Sequence, residues 1–247
     1  MRLANGVEVL ELPMQSFVGR SLIHPTLIWD DDTVVLVDAG FPGQLQQIRE
    51  AMGSAGVPFD RLDKVIITHQ DIDHIGSLPD IVRESSHKVE VLCHEEERPY
   101  IEGRKPLIKM NRERLSKMLV SLPEEQRQRM EALFADPPKA SVDTAVADEG
   151  VLPYCGGITV IFTPGHTPGH ICLYLNQSKI LITGDALVAV DGELRGPNPQ
   201  ATYDMNTALK SLKKLTHYDI ETVICYHGGI YRDRANERLA ELARAAD

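Results

Sequence analysis

Four side chains able to bind a metal ion stand within six residues, in the segment His69-Gln-Asp-Ile-Asp-His74. Imidazole nitrogens and carboxylate oxygens are ligands for zinc, manganese and iron. The segment directly follows an apolar run at residues 64–68, which reads as a short buried strand. Gathering so many polar groups beside a buried strand is costly unless a cation pairs with them. We therefore interpret His69, Asp71, Asp73 and His74 as a metal-binding loop at the end of a strand.

Three later segments carry further candidate ligands near the ends of predicted strands. In the segment 163–170, prolines and glycines fix a tight loop, and either His166 or His170 could be the ligand that it presents. We favour His166, which leaves His170 as a supporting or capping residue. Asp185 follows an apolar strand, and His227 stands before two glycines that let another group approach closely. The candidate ligand set therefore extends well beyond the first loop.

The elements that must position these residues form an α/β pattern. Alternating or short apolar runs predict strands at 7–12, 21–29, 33–37, 64–68, 89–93, 157–162, 171–175, 179–183 and 222–225. Helical spacing predicts helices at 41–55, 78–85, 205–215 and 231–245. Between 94 and 147 the sequence is charged, helix-forming and broken by prolines, which predicts an inserted helical cap. We expect a single domain over residues 1–247, with the candidate ligands at strand ends.

Composition limits the classes of partner. The net charge of −10 disfavours a nucleic-acid partner, which would need clustered basic residues. No apolar run approaches the roughly 20 residues that span a bilayer, and residues 1–15 lack a signal-peptide pattern. The four cysteines form no C-x-x-C pair and are expected to be reduced, mostly buried thiols. We expect a cytoplasmic protein with a small-molecule substrate and neither a nucleic-acid nor a membrane partner; a homodimer remains open.

Together, these motifs resemble the metallo-β-lactamase superfamily, whose pattern is a His-x-His-x-Asp-His loop followed by a His, an Asp and a His at later strand ends. The resemblance covers nearly the whole chain in order. It includes Asp38 at the end of an early strand, where the family has an Asp that hydrogen-bonds to a metal ligand and orients it. The fold that it implies is an αββα sandwich, two mixed sheets faced by helices, here with the inserted cap.

The resemblance also implies how the candidate ligands would divide between two divalent metal ions. His69 and His166 would bind the first ion, Asp73, His74 and His227 the second, and Asp185 would bridge both. Asp71 departs from the family pattern, because most members have a second His at this place. The flavodiiron branch, which holds iron and reduces oxygen or nitric oxide, has an acidic residue there. We expect zinc, with manganese or iron left open by Asp71.

The activity that the resemblance implies is hydrolysis by a metal-bridging hydroxide of an ester-like bond: a lactone, a thioester or a carboxylic ester. Asp73 would orient the hydroxide and carry its proton to the leaving group. Two divalent ions, a hydroxide and the carboxylates of Asp71, Asp73 and Asp185 sum to about zero charge, which favours a neutral reacting group unless the cap supplies a basic residue. The alternatives are an iron-dependent redox enzyme, flavodiiron-like or persulfide-oxidising, and a phosphodiesterase.

Substrate-binding residues are harder to name. Tyr203 is either an oxyanion donor or a surface tyrosine before a helix capped by Asp204, and we favour the surface position. Related lactonases carry a Tyr three residues after their bridging Asp, where this chain has Val188. Apolar residues of the cap would form its own core, line a pocket or make a dimer contact, with core packing favoured. They are Leu107, Ile108, Leu115, Met118, Leu119, Met130, Leu133 and Phe134.

Overall fold

The computed structural model describes residues 1–16, 19–110, 116, 119–120 and 123–245. Its strands, in chain order, are β1 (Arg2–Ala4), β2 (Val7–Val9), β3 (Leu12–Ser16), β4 (Gly19–Ile23), β5 (Thr26–Trp29), β6 (Val34–Val37), β7 (Lys64–Ile67), β8 (Glu90–His94), β9 (Thr144–Val146), β10 (Val151–Leu152), β11 (Ile158–Phe162), β12 (Ile171–Leu175), β13 (Ile180–Ile182), β14 (Val188–Val190), β15 (Glu193–Arg195), β16 (Thr222–Cys225) and β17 (Gly229–Tyr231). Its helices are α1 (Leu45–Ser54), α2 (Ile72–Ile75), α3 (Leu78–Glu84), α4 (Arg98–Ile101), α5 (Glu124–Ala135), α6 (Met205–Leu215) and α7 (Ala235–Arg244), with a 3₁₀ turn at Phe59–Arg61.

The strands form two large sheets and two hairpins. The first sheet has seven strands in the order β1-β2-β5-β6-β7-β8-β9, and the second has six in the order β10-β11-β12-β13-β16-β17. Strands β6 to β9 run parallel, whereas β2, β5 and β6 pair antiparallel. In the second sheet β13 and β16 are parallel and their neighbours antiparallel. The expected pair of mixed sheets is confirmed.

Side-chain alternation divides the core into three apolar layers. In β6, Val35 and Val37 belong to a cluster shared with the second sheet, whereas Val34 and Leu36 belong to a cluster shared with α1 and α3. On the second sheet, Val223 and Cys225 of β16 pack in a third cluster with α6 and α7. Successive side chains of a strand point to opposite faces, so each sheet is buried on both faces. The layer order is therefore the expected αββα sandwich.

The candidate ligands follow strands that end at one edge of the sandwich. In the first sheet, β6 and β7 are parallel neighbours, with Val37 opposite Ile66, and they lead to Asp38 and to the 69–74 loop. In the second sheet, β13 and β16 are parallel neighbours that lead to Asp185 and His227. The carboxyl ends of neighbouring parallel strands meet at the same edge, where α/β sheets place their binding sites.

Several element boundaries differ from those predicted. The strand expected at 21–29 is interrupted at Pro25, where proline lacks the N–H needed by a sheet ladder. The helix expected at 231–245 begins at Ala235, because the preceding residues form β17. Gly228 has φ +98°, a left-handed conformation that lets the chain turn back so that Gly229 pairs with Cys225. The hairpin of β14 and β15 was not predicted.

The inserted segment is shorter than the predicted 94–147. Strand β9 pairs in parallel with β8, and its Val146 is buried between the two sheets, so the insertion ends before residue 144. Within it, Leu107 is 5% exposed and belongs to the core, but α5 buries no residue. The other described members of the apolar set are partly exposed: Ile108, Leu119, Met130, Leu133 and Phe134. Leu115 and Met118 lie outside the described residues.

Among the described helices, none combines the length and the apolar character needed to cross a membrane.

Candidate metal centre

The first group of candidate ligands comprises His69, Asp71, His166 and Asp185, whose donor atoms all lie within 4.8 Å of one another. Nε2 of His69 lies 3.2 Å and Nε2 of His166 3.1 Å from Oδ2 of Asp71. Nε2 of His166 is also 3.3 Å from Oδ2 of Asp185. Both imidazoles are buried. The structure thus brings two nitrogens and two carboxylates to one point.

The second group comprises Asp73, His74 and His227. Nε2 of His227 lies 3.2 Å from Oδ2 of Asp73. Asp185 faces this group as well, because its Oδ1 is 3.4 Å from Nε2 of His74 and its Oδ2 is 3.5 Å from Nε2 of His227. The carboxylate of Asp185 therefore lies close to donor atoms of both groups.

Tight loops hold these side chains in place. The short helix α2 carries Asp73 and His74, and Gly76 directly follows it. A Cβ atom on Gly76 would lie 2.3 Å from the backbone nitrogen of Pro42, so only glycine lets the two loops touch. Gly165, with φ +133°, would collide in the same way with the first turn of α6. His166 is thus presented by a loop pressed against a helix.

Hydrogen-bond partners of the Nδ1 atoms determine which imidazole nitrogen of His74 and of His166 faces the centre. Nδ1 of His74 lies 2.9 Å from Oδ2 of Asp38, and the hydroxyl and backbone N–H of Thr68 donate to the same carboxylate. Nδ1 of His166 lies 3.4 Å from the hydroxyl of Thr202, which itself donates to a carbonyl and therefore accepts here. With Nδ1 as the donor in both rings, Nε2 is the nitrogen that faces the centre, where it can bind a proton or a metal ion.

His170 is placed differently from His166. Its Nε2 accepts a hydrogen bond from the backbone N–H of Asp185 at 3.1 Å, and its Nδ1 lies 2.9 Å from the hydroxyl of Thr163. Both ring nitrogens of His170 therefore have protein partners, and the ring holds the backbone of Asp185 in position. This geometry favours His166 as the ligand presented by the loop.

The electrostatics of the centre favour bound positive charge. Burial lowers the pKa of His69 to about 4, so this imidazole is neutral and its lone pair is available. Burial would also lower the pKa of His74, but the carboxylates of Asp38, Asp185 and Asp73 outweigh burial and raise it to about 10. The carboxylates thus stabilise a cation in their midst, whether a proton or a metal ion.

Three buried polar atoms show that these residues fit metal ions. Nε2 of His69, Nε2 of His74 and Oδ1 of Asp185 lie close to other candidate ligands, but none of the three atoms forms a hydrogen bond of good geometry with the residues that the structure describes. A buried polar atom without a hydrogen bond costs about 1–3 kcal/mol, which a coordinated cation would offset. Nitrogen and carboxylate donors in groups of four and three, sharing Asp185, suit two divalent ions.

Of the two tyrosines near the centre, Tyr226 rather than Tyr203 is buried there. Tyr203 is 66% exposed, and its backbone N–H donates to the carbonyl of His166. The hydroxyl of Tyr226 donates to the backbone carbonyl of Asp73, and its ring centroid is 3.8 Å from that of His74. Tyr226 was not predicted from the sequence, although its position directly before His227 was a signal.

A lysine from the insertion also enters the centre. Nζ of Lys109 contacts Oδ2 of Asp71 and lies 2.6 Å from Nε2 of His166. Lys109 adds a positive charge to the centre. This charge was not included when the charges of two divalent ions, a hydroxide and three carboxylates were summed from the sequence. Lys109 could not be singled out from the sequence. Several nearby residues in the chain are also charged, and Asp71, which it contacts, lies 38 positions away.

Glu97 is a third residue near the centre that was not predicted from the sequence, and its buried carboxylate joins the two ligand loops. It accepts hydrogen bonds from the backbone N–H of Gln70 at 2.8 Å and from that residue's side-chain amide at 3.0 Å. It also accepts one from the backbone N–H of Gly169 at 2.6 Å. Glu97 therefore fixes the 69–74 loop relative to the loop that carries His166.

A cavity of about 600 Å³ opens beside His227. The hairpin of β14 and β15, the following turn and Leu209 supply most of its walls, including Val188, Val190 and Arg195. Among the residues of the inserted segment that the structure describes, none lines this cavity. His227 is the most exposed of the candidate ligands, with 32% of its side chain accessible, so the cavity meets the centre on its open side.

Comparisons with known proteins agree with this architecture. The family model described as the metallo-beta-lactamase superfamily matches residues 18–227. The probable metallo-hydrolase YflN of Bacillus subtilis (strain 168) is 32% identical over 211 residues, which are 78% of this chain and 75% of that protein. A hydroxyacylglutathione hydrolase of Chelativorans sp. (strain BNC1) is 43% identical over 82 residues, which are 33% of this chain and 29% of that enzyme.

Solved structures also superpose on nearly the whole chain. The metallo-beta-lactamase family protein TTHA1429 from Thermus thermophilus gives a TM-score of 0.72 at 23% identity, over 99% of this chain and 80% of that one. A variant of a flavo di-iron protein from Thermotoga maritima gives 0.70 at 16% identity, over 99% of this chain and 60% of that one. At these identities the likeness establishes the fold alone.

Proposed function

Since the chain belongs to the metallo-beta-lactamase superfamily, we propose that it is a metal-dependent hydrolase that cleaves an ester-like bond in a small molecule. The bond would be a lactone, a thioester or a carboxylic ester. The ligands that we propose are His69, Asp71, His166 and Asp185 for one divalent ion, and Asp73, His74, His227 and the shared Asp185 for the other.

The observation that carries this proposal is the position of Asp185 between the two groups. Its Oδ2 is 3.3 Å from Nε2 of His166 in the first group, and its Oδ1 is 3.4 Å from Nε2 of His74 in the second. Two divalent ions bound side by side in this way would acidify a water molecule and polarise a carbonyl group at neutral pH. An ester-like carbonyl is a suitable target for that chemistry.

Within the protein, Asp73 is the best placed group to move a proton. Of the three candidate ligand carboxylates it has the most accessible side chain, 17% exposed, compared with 12% for Asp71 and 9% for Asp185. Asp73 would accept the proton of the attacking water and deliver it to the leaving oxygen or sulfur. Asp38 and His170 would position His74 and Asp185 during the reaction.

The cavity beside His227 suits the substrate's acyl portion. Val188, Val190 and Leu209 give it apolar walls, and Arg195 adds a cation that has no ion-pair partner among the described residues. Small-molecule sites commonly combine apolar walls with a few polar groups that fix orientation. An acyl chain carrying a distal carboxylate would fit such a pocket. Arg195→Ala should therefore raise KM for an acidic acyl substrate more than for its neutral counterpart.

Two observations favour other activities of the same centre. The carboxylate of Asp71 is a ligand that iron accepts readily, which favours the redox alternative. Lys109 adds a cation next to Asp71, which favours an anionic substrate such as a phosphodiester. Both alternatives belong in the first experiment.

That experiment is elemental analysis of untagged protein purified without chelators, followed by activity assays. We expect close to two zinc or manganese ions per chain, and hydrolysis of at least one substrate from a panel of lactones, thioesters and carboxylic esters. Chelation should abolish the activity and the missing ion should restore it. Two iron ions with oxygen consumption would favour the redox enzyme, and turnover of phosphodiesters alone would favour the phosphodiesterase. Folded protein that binds no metal would refute the proposal.

A further inference from the structure

The first ligand group is already in contact with a cation of the protein itself. The ammonium of Lys109 contacts Oδ2 of Asp71 and lies 2.6 Å from Nε2 of His166, so it engages two of the four proposed donors. Its side chain is only 14% exposed. Among the described residues, no Lys or Arg is paired with Asp73, His74 or His227 in the second group.

Lys109 is held there by a defined chain of hydrogen bonds. The backbone N–H of Ile108 donates to the side-chain carbonyl of Gln70 at 2.9 Å. Gln70 in turn donates to the buried carboxylate of Glu97. Next to Ile108, Leu107 is buried in the core. The backbone that carries Lys109 is thus attached to the ligand loop itself, between His69 and Asp71.

An ammonium and a divalent ion compete for these donors. A hydrogen bond from Nζ to Nε2 of His166 uses the lone pair that would coordinate a metal ion, and the contact with Asp71 uses a carboxylate oxygen in the same way. Two cations close together also repel each other strongly in a site of low dielectric. A metal ion can take both donors only when the ammonium leaves them.

We propose that Lys109 is an internal competitor for metal at the first group, and that it makes this group the weaker of the two metal sites. The second group then fills first, and the first group fills only at higher free metal concentration. Because the Ile108 contact to Gln70 anchors the backbone, the lysine remains beside the centre when a metal ion displaces its ammonium. This inference rests on the proposed function, since it takes both groups to be metal sites.

The test is a stepwise zinc titration of chelator-stripped protein, competed against a chromophoric chelator, for wild type, Lys109→Met and Lys105→Met. We expect two unequal affinities in wild type and a tightening of the weaker one by about tenfold or more in Lys109→Met. Lys105→Met is the matched control. It removes the same charge from an exposed position of the same segment, where the lysine lies 5.3 Å from the ring of Tyr100, and should change neither affinity.

The outcomes separate this inference from the proposed function. Wild type that binds two ions, together with a Lys109→Met variant whose weaker affinity is unchanged or reduced, would overturn the role of Lys109 and leave the metal centre intact. Failure of wild type to bind any metal would refute both. Lys109→Gln provides a second variant should the methionine variant fold poorly, as judged by circular dichroism, and the same tightening is expected.

Discussion

Nδ1 of the His74 imidazole lies 2.9 Å from the carboxylate of Asp38, in a pair that is wholly buried. The pair fixes which nitrogen of His74 faces the second ligand group. Asp38 has φ +64°, a conformation that is uncommon outside glycine and that Asp and Asn tolerate best. The left-handed backbone at position 38 therefore suits an aspartate whose carboxylate orients His74.

Asp38→Asn should weaken metal binding at the second group by about 10–100-fold, because an amide cannot hold the imidazole as a carboxylate does. Asparagine keeps the left-handed backbone, so the fold should be preserved. Competition with a chromophoric chelator measures the affinity. Asp191→Asn is a matched control, since Asp191 also has a positive φ, +53°, but lies exposed in the turn between β14 and β15. Equal affinities in the Asp38 variant and wild type would contradict the role of Asp38.

Asp185→Asn should lower metal content and turnover together, because the shared carboxylate faces both groups. Metal content after dialysis and kcat are the two measurements. Asp60→Asn, at an exposed position away from the centre, should change neither. If the Asp185 variant kept full turnover, Asp185 would not be the bridging ligand.

Asp71→His should retain two ions and shift the preference toward zinc, because imidazole replaces a carboxylate that suits manganese and iron. The test is growth in medium supplemented with equal zinc, manganese and iron, followed by elemental analysis. A variant with the metal composition of wild type would show that Asp71 does not select the ion.

Glu97→Gln should lower the free energy of unfolding by about 1–3 kcal/mol, because the buried N–H groups of Gln70 and Gly169 would lose a carboxylate acceptor. Chemical denaturation in the presence of a chelator measures this loss apart from metal binding. Glu95→Gln, at an exposed position two residues earlier, should leave the stability unchanged. Equal stability of the two variants would show that Glu97 does not join the loops.

The difference in stability between wild type and Glu97→Gln should also depend on pH. Burial raises the pKa of Glu97 above its ordinary value of 4.5, so the folded state holds the proton more tightly than the unfolded state does. Stability from this group is then lost as pH rises from 4.5 through the raised pKa. Glutamine has no such dependence, so the stability gap between wild type and Glu97→Gln should narrow over that interval. A gap that widens with pH would contradict this assignment.

The cysteines should resist alkylation in the native state. Burial raises the pKa of Cys172, of Cys225 and of the half-buried Cys155 to about 12, and it raises the pKa of Cys93 as well. At about pH 8 the reactive thiolate is therefore scarce. Iodoacetamide should label native protein slowly and unfolded protein at all four positions, as counted by mass spectrometry. Cys172, in β12, is fully buried, so rapid labelling of native Cys172 would contradict this structure.

The sequence was informative where local pattern determines structure. Apolar runs followed by polar loops located β7, β13 and β16, and helical spacing located α6 at Met205–Leu215, as observed. Apolar runs and helical spacing extend over only a few neighbouring residues, so they can be recognised within a single segment of sequence.

Contacts between distant segments could not be predicted in this way. Lys109 reaches Asp71 across 38 positions of the chain. Glu97 reaches Gly169 across 72 positions, in a contact that joins the two halves of the chain. Neither residue carries a local pattern that separates it from an ordinary exposed charge. The hairpin of β14 and β15 was missed because each of its strands has only three residues.

Each ligand group draws on both sheets of the sandwich. The loop after β7 supplies residues 69–74, whereas His166, Asp185 and His227 come from the second sheet. Neither half of the polypeptide alone contains a complete coordination sphere. A nascent chain that has emerged only as far as β9 could not assemble either metal site, and the ions would enter after the sheets have docked. Metal that binds at this stage would stabilise the assembled sandwich, but it would not guide the folding of the separate sheets.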